Sequence, residues 1–353
     1  MDNVKLVLEG GVKAYFRFSN EYAEKVKPYL IRQYSNDGEI EVAMASSGMN
    51  AITTTMLVIM SKWGWSNDCC ILLGDEMYGD TPRAAKHHSS IFTGNNLGVY
   101  KVDVSDNSKV INIFKDKFKN KKVLFMMEPC TNPNGNIFDF SIVNELRGLC
   151  KNLLLVADIT WTPQFNALEY GADALVISLT KHHSGSSCIL GAVISRNQPA
   201  IAYEVNQYLR LSGSHISPYD SSKLLSMMST YDERIENAHN TAIKVAKELI
   251  KKKWVVKVNF PLLKSHNSNR LAVEYNMKPT VMNILMEIPG SRRDVEKWIK
   301  SRKNLTYATS YGGKDSRIDP WYKRIEGTSK YWIRISIGYE SSCEDVIESL
   351  EDF

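Results

Sequence analysis

Residues 153–181 read LLLVADITWTPQFNALEYGADALVISLTK. Two apolar runs, Leu153–Ala157 and Ala174–Ile177, end in polar residues: the first in Asp158, the second in Ser178-Leu179-Thr180-Lys181. Runs this short, aliphatic and bounded by polar stretches read as buried strands of an α/β sheet. In such a sheet ligands sit outside the carboxyl ends of the strands, which makes Asp158 and Lys181 candidates for ligand chemistry. Each is read two ways. Asp158 either pairs with a cationic ring nitrogen or caps a helix. Lys181, flanked by hydroxyls, either undergoes Schiff-base chemistry from a desolvated site or is a solvated loop lysine.

Working outward, the same alternation runs from about Ile40 to Val193, with further apolar runs at Val42–Ala45, Cys70–Leu73, Val99–Val102, Val123–Met127 and Leu190–Ile194. Helix-like stretches such as Asn50–Lys62 and Ile142–Lys151 lie between them. This order predicts a mostly parallel sheet with helices on both faces. The last two runs follow too closely for an intervening helix, which predicts a local antiparallel pair. After Pro218 one long helical pattern is expected from Ser221 to about Lys253. Strands around Val255–Val258, Val281–Glu287 and Trp332–Ile337 follow, mixed with helices at Arg293–Ser301 and Ser342–Leu350. The expectation is an α/β chain with a large domain over 40–229 and a smaller carboxyl-terminal α+β domain over 230–353.

The 353 residues are 43% hydrophobic and 24% charged, an ordinary globular composition that excludes a disordered or collagenous chain. No apolar run approaches the roughly 20 residues needed to span a bilayer, and Asp2, Lys5 and Glu9 interrupt any signal-like start. A cytoplasmic location is the expectation. The net charge of +5 is dispersed, which argues against nucleic-acid binding. The six cysteines form no CxxC pair, and the adjacent histidines His87-His88 and His182-His183 lack a carboxylate at ligand spacing, so no metal site is expected.

Two more turns carry chemistry. Ser46-Ser47-Gly48-Met49-Asn50 joins a strand to a helix, and is either a phosphate seat on the helix amino end or a short loop with a serine cap. Gly74-Asp75-Glu76-Met77-Tyr78-Gly79 presents a tyrosine that either stacks on a flat cofactor or packs a helix on the sheet. Phosphate turn, tyrosine, acid and lysine occur in the order needed to hold pyridoxal 5'-phosphate.

In that order the chain resembles the cystathionine synthase and lyase group, the Cys/Met-metabolism enzymes of fold type I that use pyridoxal phosphate. The resemblance rests on Ser47-Gly48-Met49, Gly74-Asp75 with Tyr78-Gly79, Glu128-Pro129-Cys130-Thr131-Asn132-Pro133, and Asp158-Ile159-Thr160-Trp161-Thr162-Pro163. It continues through Ser178-Leu179-Thr180-Lys181, Ser310-Tyr311-Gly312-Gly313 and Arg334-Ile335-Ser336-Ile337-Gly338-Tyr339-Glu340.

This resemblance implies a large domain built on a seven-stranded sheet and a fold type I transferase architecture. It implies that Lys181 condenses with the cofactor aldehyde and later shuttles protons, and that Asp158 holds the pyridine nitrogen protonated. Tyr78 would stack on the ring and assist proton transfer. Ser47, Gly48, Met49, Ser178 and Thr180 would hold the phosphate, with Asn132 and Thr160 beside the ring. Arg334 and Ser310, with neighbouring Thr309, would meet the substrate. Tyr15 and Arg17, in an amino-terminal arm and subunit-contact segment over 1–39, would reach a neighbouring subunit's phosphate, making a homodimer or homotetramer with shared active sites.

The implied activity is elimination or replacement at the γ or β carbon of a sulfur-containing or O-acylated amino acid. Alternatives are a cystathionine β-lyase type of C–S cleavage and a non-catalytic scaffold of the same fold. Several substrate-side positions depart from the family pattern: Thr309 replaces glutamate or tyrosine, Asp80 follows Tyr78-Gly79 in place of glycine or cysteine, and His182 follows Lys181 in place of tyrosine. They imply a retained cofactor chemistry with an altered pocket. A nucleotide-binding α/β protein lacks support, since no GxGxxG or Walker lysine is present.

Overall fold

Seven strands form the first sheet: β1 (Ile40–Ala45), β2 (Cys69–Gly74), β3 (Gly98–Val102), β4 (Lys122–Met127), β5 (Asn152–Asp158), β6 (Ala174–Ser178) and β7 (Gly191–Arg196). This computed structural model describes residues 20–35, 38–94, 97–319 and 323–351. The spatial order is β1-β7-β6-β5-β4-β2-β3. The pairs β2/β3, β2/β4, β4/β5 and β5/β6 are parallel, whereas β7 runs antiparallel to both β6 and β1. The antiparallel partner expected beside β6 is therefore present, and the parallel strands deliver their carboxyl ends to one edge of the sheet.

The helices that accompany this sheet are α1 (Glu21–Tyr34), α2 (Gly48–Lys62), α3 (Asp80–Thr93), α4 (Asn107–Ile113), α5 (Val143–Leu149), α6 (Ile201–Leu211) and α7 (Pro218–Met228). Buried Ile52, Met56 and Ile59 of α2 share a core with Ile71, Leu73, Leu124 and Val176 of the strands and Val205 and Leu209 of α6. Packing of this all-apolar kind fixes where the amino end of α2 lies.

Of the residues read as an amino-terminal arm, 20–35 form α1 and its caps and are built into this unit. Asn20 caps α1 by accepting from Ala23 N at 2.9 Å, and its side chain donates to Ser221 Oγ at 3.3 Å. At the other end Tyr34 donates to the Pro163 carbonyl. Tyr15 and Arg17 lie outside the described residues.

The single long helix expected from Ser221 to Lys253 is two helices, α7 and α8 (Tyr231–Leu249), separated at Ser229-Thr230. Both stretches carry apolar residues at helical spacing, so periodicity alone does not show the interruption. The helix α7 starts on a Ser217 cap with Pro218 in its first turn, an arrangement proline's fixed φ favours.

The chain divides into two units at that interruption. The first takes in the chain through Asn132, then Phe138–Thr180 and Ser187–Ser229; the second takes in Pro133–Ile137, Lys181–Ser186 and the chain from Thr230 onward. Two short segments from the earlier half are thus grouped with the later one, and Lys181 is the first residue of one of them. The second unit has α8, α9 (Asn269–Glu274), α10 (Arg292–Lys300), α11 (Cys343–Glu351) and a six-stranded sheet. Its strands are β8 (Val255–Asn259), β9 (Val281–Glu287), β10 (Thr306–Tyr307), β11 (Arg317–Ile318), β12 (Lys323–Arg324) and β13 (Lys330–Ser336), in the order β10-β11-β13-β9-β8 with β12 paired to β13. Ile333 and Ile335 of β13, Ile318 of β11 and Ile284 of β9 face a core completed by Ala242 and Leu249 of α8 and Val346 of α11.

Candidate active site

In the first unit, the sequence-predicted residues collect at the carboxyl ends of the strands. After β1, Ser47 caps α2 by accepting from Asn50 N at 3.0 Å, so the capping reading of this serine is realised. The amides of Gly48 and Met49 lie in the first turn of α2, where a helix offers its N–H groups no internal acceptor and carries partial positive charge. A Cβ at Gly48 would stand 2.6 Å from the Ser178 Cβ, and one at Gly191 would stand 2.3 Å from the Ser47 carbonyl oxygen. Two glycines thereby allow the start of α2, the end of β6 and the start of β7 to close on one another.

Asp158 ends β5 and is 5% exposed. No helix starts behind it, so it does not act as a helix cap. Its Oδ1 accepts from Thr160 N at 3.0 Å and from Thr160 Oγ1 at 2.6 Å, while Thr160 Oγ1 accepts from Ser178 N at 2.9 Å. One hydroxyl thus couples the buried carboxylate to the serine beside Gly48. Thr180 is placed differently: its hydroxyl donates to Leu190 O at 3.2 Å and accepts from Leu190 N at 3.1 Å. Its proton is directed to the backbone.

Tyr78 follows β2 and is 45% exposed, and its ring meets no other aromatic ring among the described residues. Its hydroxyl donates to Asp80 Oδ2 at 3.2 Å. Partial burial, then the adjacent Asp80 charge, raises the phenol above its ordinary pKa. Glu128, 4% exposed and undetected as a positioning group by sequence reasoning, accepts from Tyr78 N at 2.6 Å through one oxygen and from Asn132 N at 3.1 Å through the other. The motif identified its position. Its two backbone partners, one of them on a turn 50 residues away, carry no signal in the sequence.

In the second unit, Lys181 Nζ donates to Ser310 Oγ at 2.8 Å and lies 5.5 Å from the centre of the Tyr311 ring. The Ser310–Gly313 loop is pressed onto the lysine segment: a Cβ at Gly312 would stand 2.6 Å from His182 N and 2.7 Å from the Lys181 carbonyl carbon. Beneath the segment, Arg234 of α8 donates to the carbonyls of His182 at 2.7 Å and His183 at 2.8 Å. Both histidines are buried, and burial followed by nearby cationic Arg234 pushes His182 down to about 3. They are neutral packing residues in the fold. Arg334 is ion-paired with buried Asp319, a partner that the sequence motif did not disclose. Ser336 Oγ donates to Ser310 O at 3.4 Å, and Arg317 donates to Thr309 O at 3.1 Å.

Comparison with known proteins decides the family, since residues 9–352 match the one described as Cys/Met metabolism PLP-dependent enzyme. The chain belongs to this family. It is 27% identical over 329 residues to the L-methionine gamma-lyase of Fusobacterium nucleatum subsp. polymorphum, covering 89% of this chain and 80% of that one. It is 28% identical over 319 residues to the cystathionine gamma-lyase of Bacillus subtilis, covering 86% and 79%. Its fold is similar to that of a cystathionine gamma synthase from Xanthomonas oryzae pv. oryzae, with a TM-score of 0.81, 23% identity, and coverage of 97% of this chain and 88% of that one.

A PLP-dependent enzyme of this family needs an anion seat, an acid for the pyridine nitrogen and a lysine. The residues present fit that requirement. The glycine-cleared amino end of α2 beside Ser178 suits a phosphate, and the buried Asp158 carboxylate, oriented by Thr160, suits a cationic ring nitrogen. No helix of the described residues is long and apolar enough to cross a membrane.

Proposed function

We propose that this enzyme catalyses elimination or replacement at the γ or β carbon of a sulfur-containing or O-acylated amino acid, with Lys181 as the cofactor lysine. The observation that carries this reading is the chain of hydrogen bonds from Ser178 N through Thr160 Oγ1 to Asp158 Oδ1, which joins the residues needed at the two ends of one flat cofactor.

When bound, pyridoxal phosphate supplies an electron sink for negative charge developing at the substrate's α-carbon. The remaining work falls to the protein. Gly48 and Met49 amides and the Ser178 hydroxyl hold the phosphate, and Asp158 keeps a proton at the ring nitrogen. Arg334, held by Asp319, binds the α-carboxylate through its fork of donors together with Ser310. Lys181 Nζ takes the α-proton, and for γ chemistry carries a proton from the β-carbon. Tyr78, whose phenol is held above its ordinary value by partial burial and Asp80, donates its hydroxyl proton to the departing thiolate. Asn132, fixed by Glu128, borders the ring.

The printed names of the relatives, a methionine gamma-lyase and a cystathionine gamma-lyase, support this substrate class. A cytoplasmic homodimer or homotetramer is part of the same proposal. The test is incubation of cofactor-loaded protein with cystathionine, methionine, cysteine and acylated homoserines, followed by assay of keto acid, ammonia and thiol. Pyruvate assigns β-cleavage, 2-oxobutyrate assigns γ-cleavage, and a new thioether from an added thiol assigns replacement. Absence of every product contradicts the proposal.

A further inference from the structure

The face of the second unit's sheet opposite its core carries two arginines in unequal situations. In β13, Ile333 and Ile335 are wholly buried in the core, so Arg334 and Ser336 occupy the opposite face. In β11, wholly buried Ile318 lies between Arg317 and Asp319, which places these two on that same face. The register agrees, pairing Arg317 with Ser336 and Ile318 with Ile335. Arg334 is neutralised by Asp319. Arg317 meets no carboxylate at ion-pair distance among the described residues; its NH1 donates to the Thr309 carbonyl at 3.1 Å.

The guanidinium lies against the loop that holds Ser310. A Cβ at Gly313 would stand 2.8 Å from Arg317 NH2, so the glycine is what allows the guanidinium to rest there. Against the loop that holds Ser310, itself hydrogen-bonded to Lys181, β11 therefore places a half-buried cation with no carboxylate at ion-pair distance among the described residues. A group of this kind attracts an anion that the neutralised Arg334–Asp319 pair does not account for.

We propose that Arg317 is a specificity-determining residue that binds a second carboxylate, carried on the leaving group of the substrate. This rests on the reaction class proposed above and narrows it to dicarboxylic amino acids, in preference to substrates with an uncharged side chain. Arginine suits the task because its planar fork matches a carboxylate and its charge persists at all working pH values.

The experiment uses cofactor-loaded full-length protein and two probes that differ by one carboxylate, S-(2-carboxyethyl)-L-homocysteine and S-propyl-L-homocysteine. Binding is followed by the change in cofactor absorbance, and turnover by keto acid release. The unaltered enzyme should favour the carboxylated probe in kcat/KM by roughly tenfold or more, with a preference that shrinks as salt rises. Arg317→Gln should abolish that preference, the carboxylated probe losing roughly tenfold more kcat/KM than the propyl probe, and Arg317→Lys should restore part of it. Because the salt dependence is measured on the unaltered protein, the test survives a variant that does not fold. Equal affinity for both probes, or equal losses for both in Arg317→Gln, overturns the proposal. If neither probe perturbs the absorbance or yields product, the reaction class itself fails and this inference falls with it.

Discussion

Lys181 and Ser310 are joined by a hydrogen bond of 2.8 Å between Nζ and Oγ, across 129 positions of the chain. Ser310 holds this contact from a left-handed backbone, φ +83°, a conformation that side chains bearing Cβ rarely adopt. A strained residue bound to the proposed cofactor lysine points to a role in setting the position of its amine.

Removing the hydroxyl should therefore be felt in chemistry more than in folding. Ser310→Ala is expected to lower kcat/KM by about tenfold, equivalent to about 1.4 kcal/mol of transition-state stabilisation. Ser310→Gly removes the same hydroxyl while suiting the backbone, so it should melt at or above the temperature of Ser310→Ala with a similar kinetic defect. Steady-state kinetics and thermal melts check both.

Gly48→Ala should act on cofactor affinity. Its new Cβ would stand 2.6 Å from Ser178 Cβ and 3.1 Å from Ser178 Cα, and a backbone-anchored neighbour cannot yield cheaply. The start of α2 must shift, and the expected outcome is at least a tenfold weaker cofactor Kd, about 1.4 kcal/mol. Titration of cofactor-free protein with pyridoxal phosphate measures it.

The carboxylate of Glu128 bridges the Tyr78 and Asn132 amides. Glu128→Gln keeps the size but replaces one acceptor oxygen with a donor, leaving one amide facing the wrong group. A stability loss of about 1–3 kcal/mol is expected, read by urea unfolding. The cofactor absorbance should also respond more weakly to substrate, because Tyr78 and Asn132 are no longer fixed.

Acid sensitivity should trace in part to the two histidines behind Lys181. His182 is pushed down to about 3, chiefly by burial, and His183 is held well below its ordinary value for the same reason. As pH falls below about 6.5 the unfolded chain takes up protons that the folded one refuses. Their stabilising contribution is complete above that pH and is lost progressively as pH falls below it, for His182 down to about 3, by roughly 1 kcal/mol per pH unit for each histidine. His183→Phe can retain the ring contact now made with Tyr231, at 4.3 Å between centres. It should flatten the dependence of unfolding free energy on pH between about 6.5 and 4.

Much of this was legible before the structure. The seven strands of the first sheet follow the apolar runs, because buried parallel strands must be continuously apolar, and Asp158 and Ser178 stand at strand ends as their positions imply. The break between α7 and α8 was not legible, since apolar spacing persists across Ser229-Thr230 while the chain changes unit there. Asp319 and Arg317 were missed for a related reason. Their significance comes from β11 lying beside β13, and strand pairing at that sequence distance leaves no local trace. Thr180 shows the converse limit: the motif names the residue, but not the two contacts its hydroxyl makes with the Leu190 backbone.

The account stands on the identity of the cofactor lysine. Cofactor-loaded protein is reduced with borohydride, digested and mapped by mass spectrometry. The account predicts a pyridoxyl group on the peptide containing Lys181, and loss of that label in Lys181→Ala protein. A label on a different lysine, or an unlabelled Lys181 peptide from loaded protein, would contradict it.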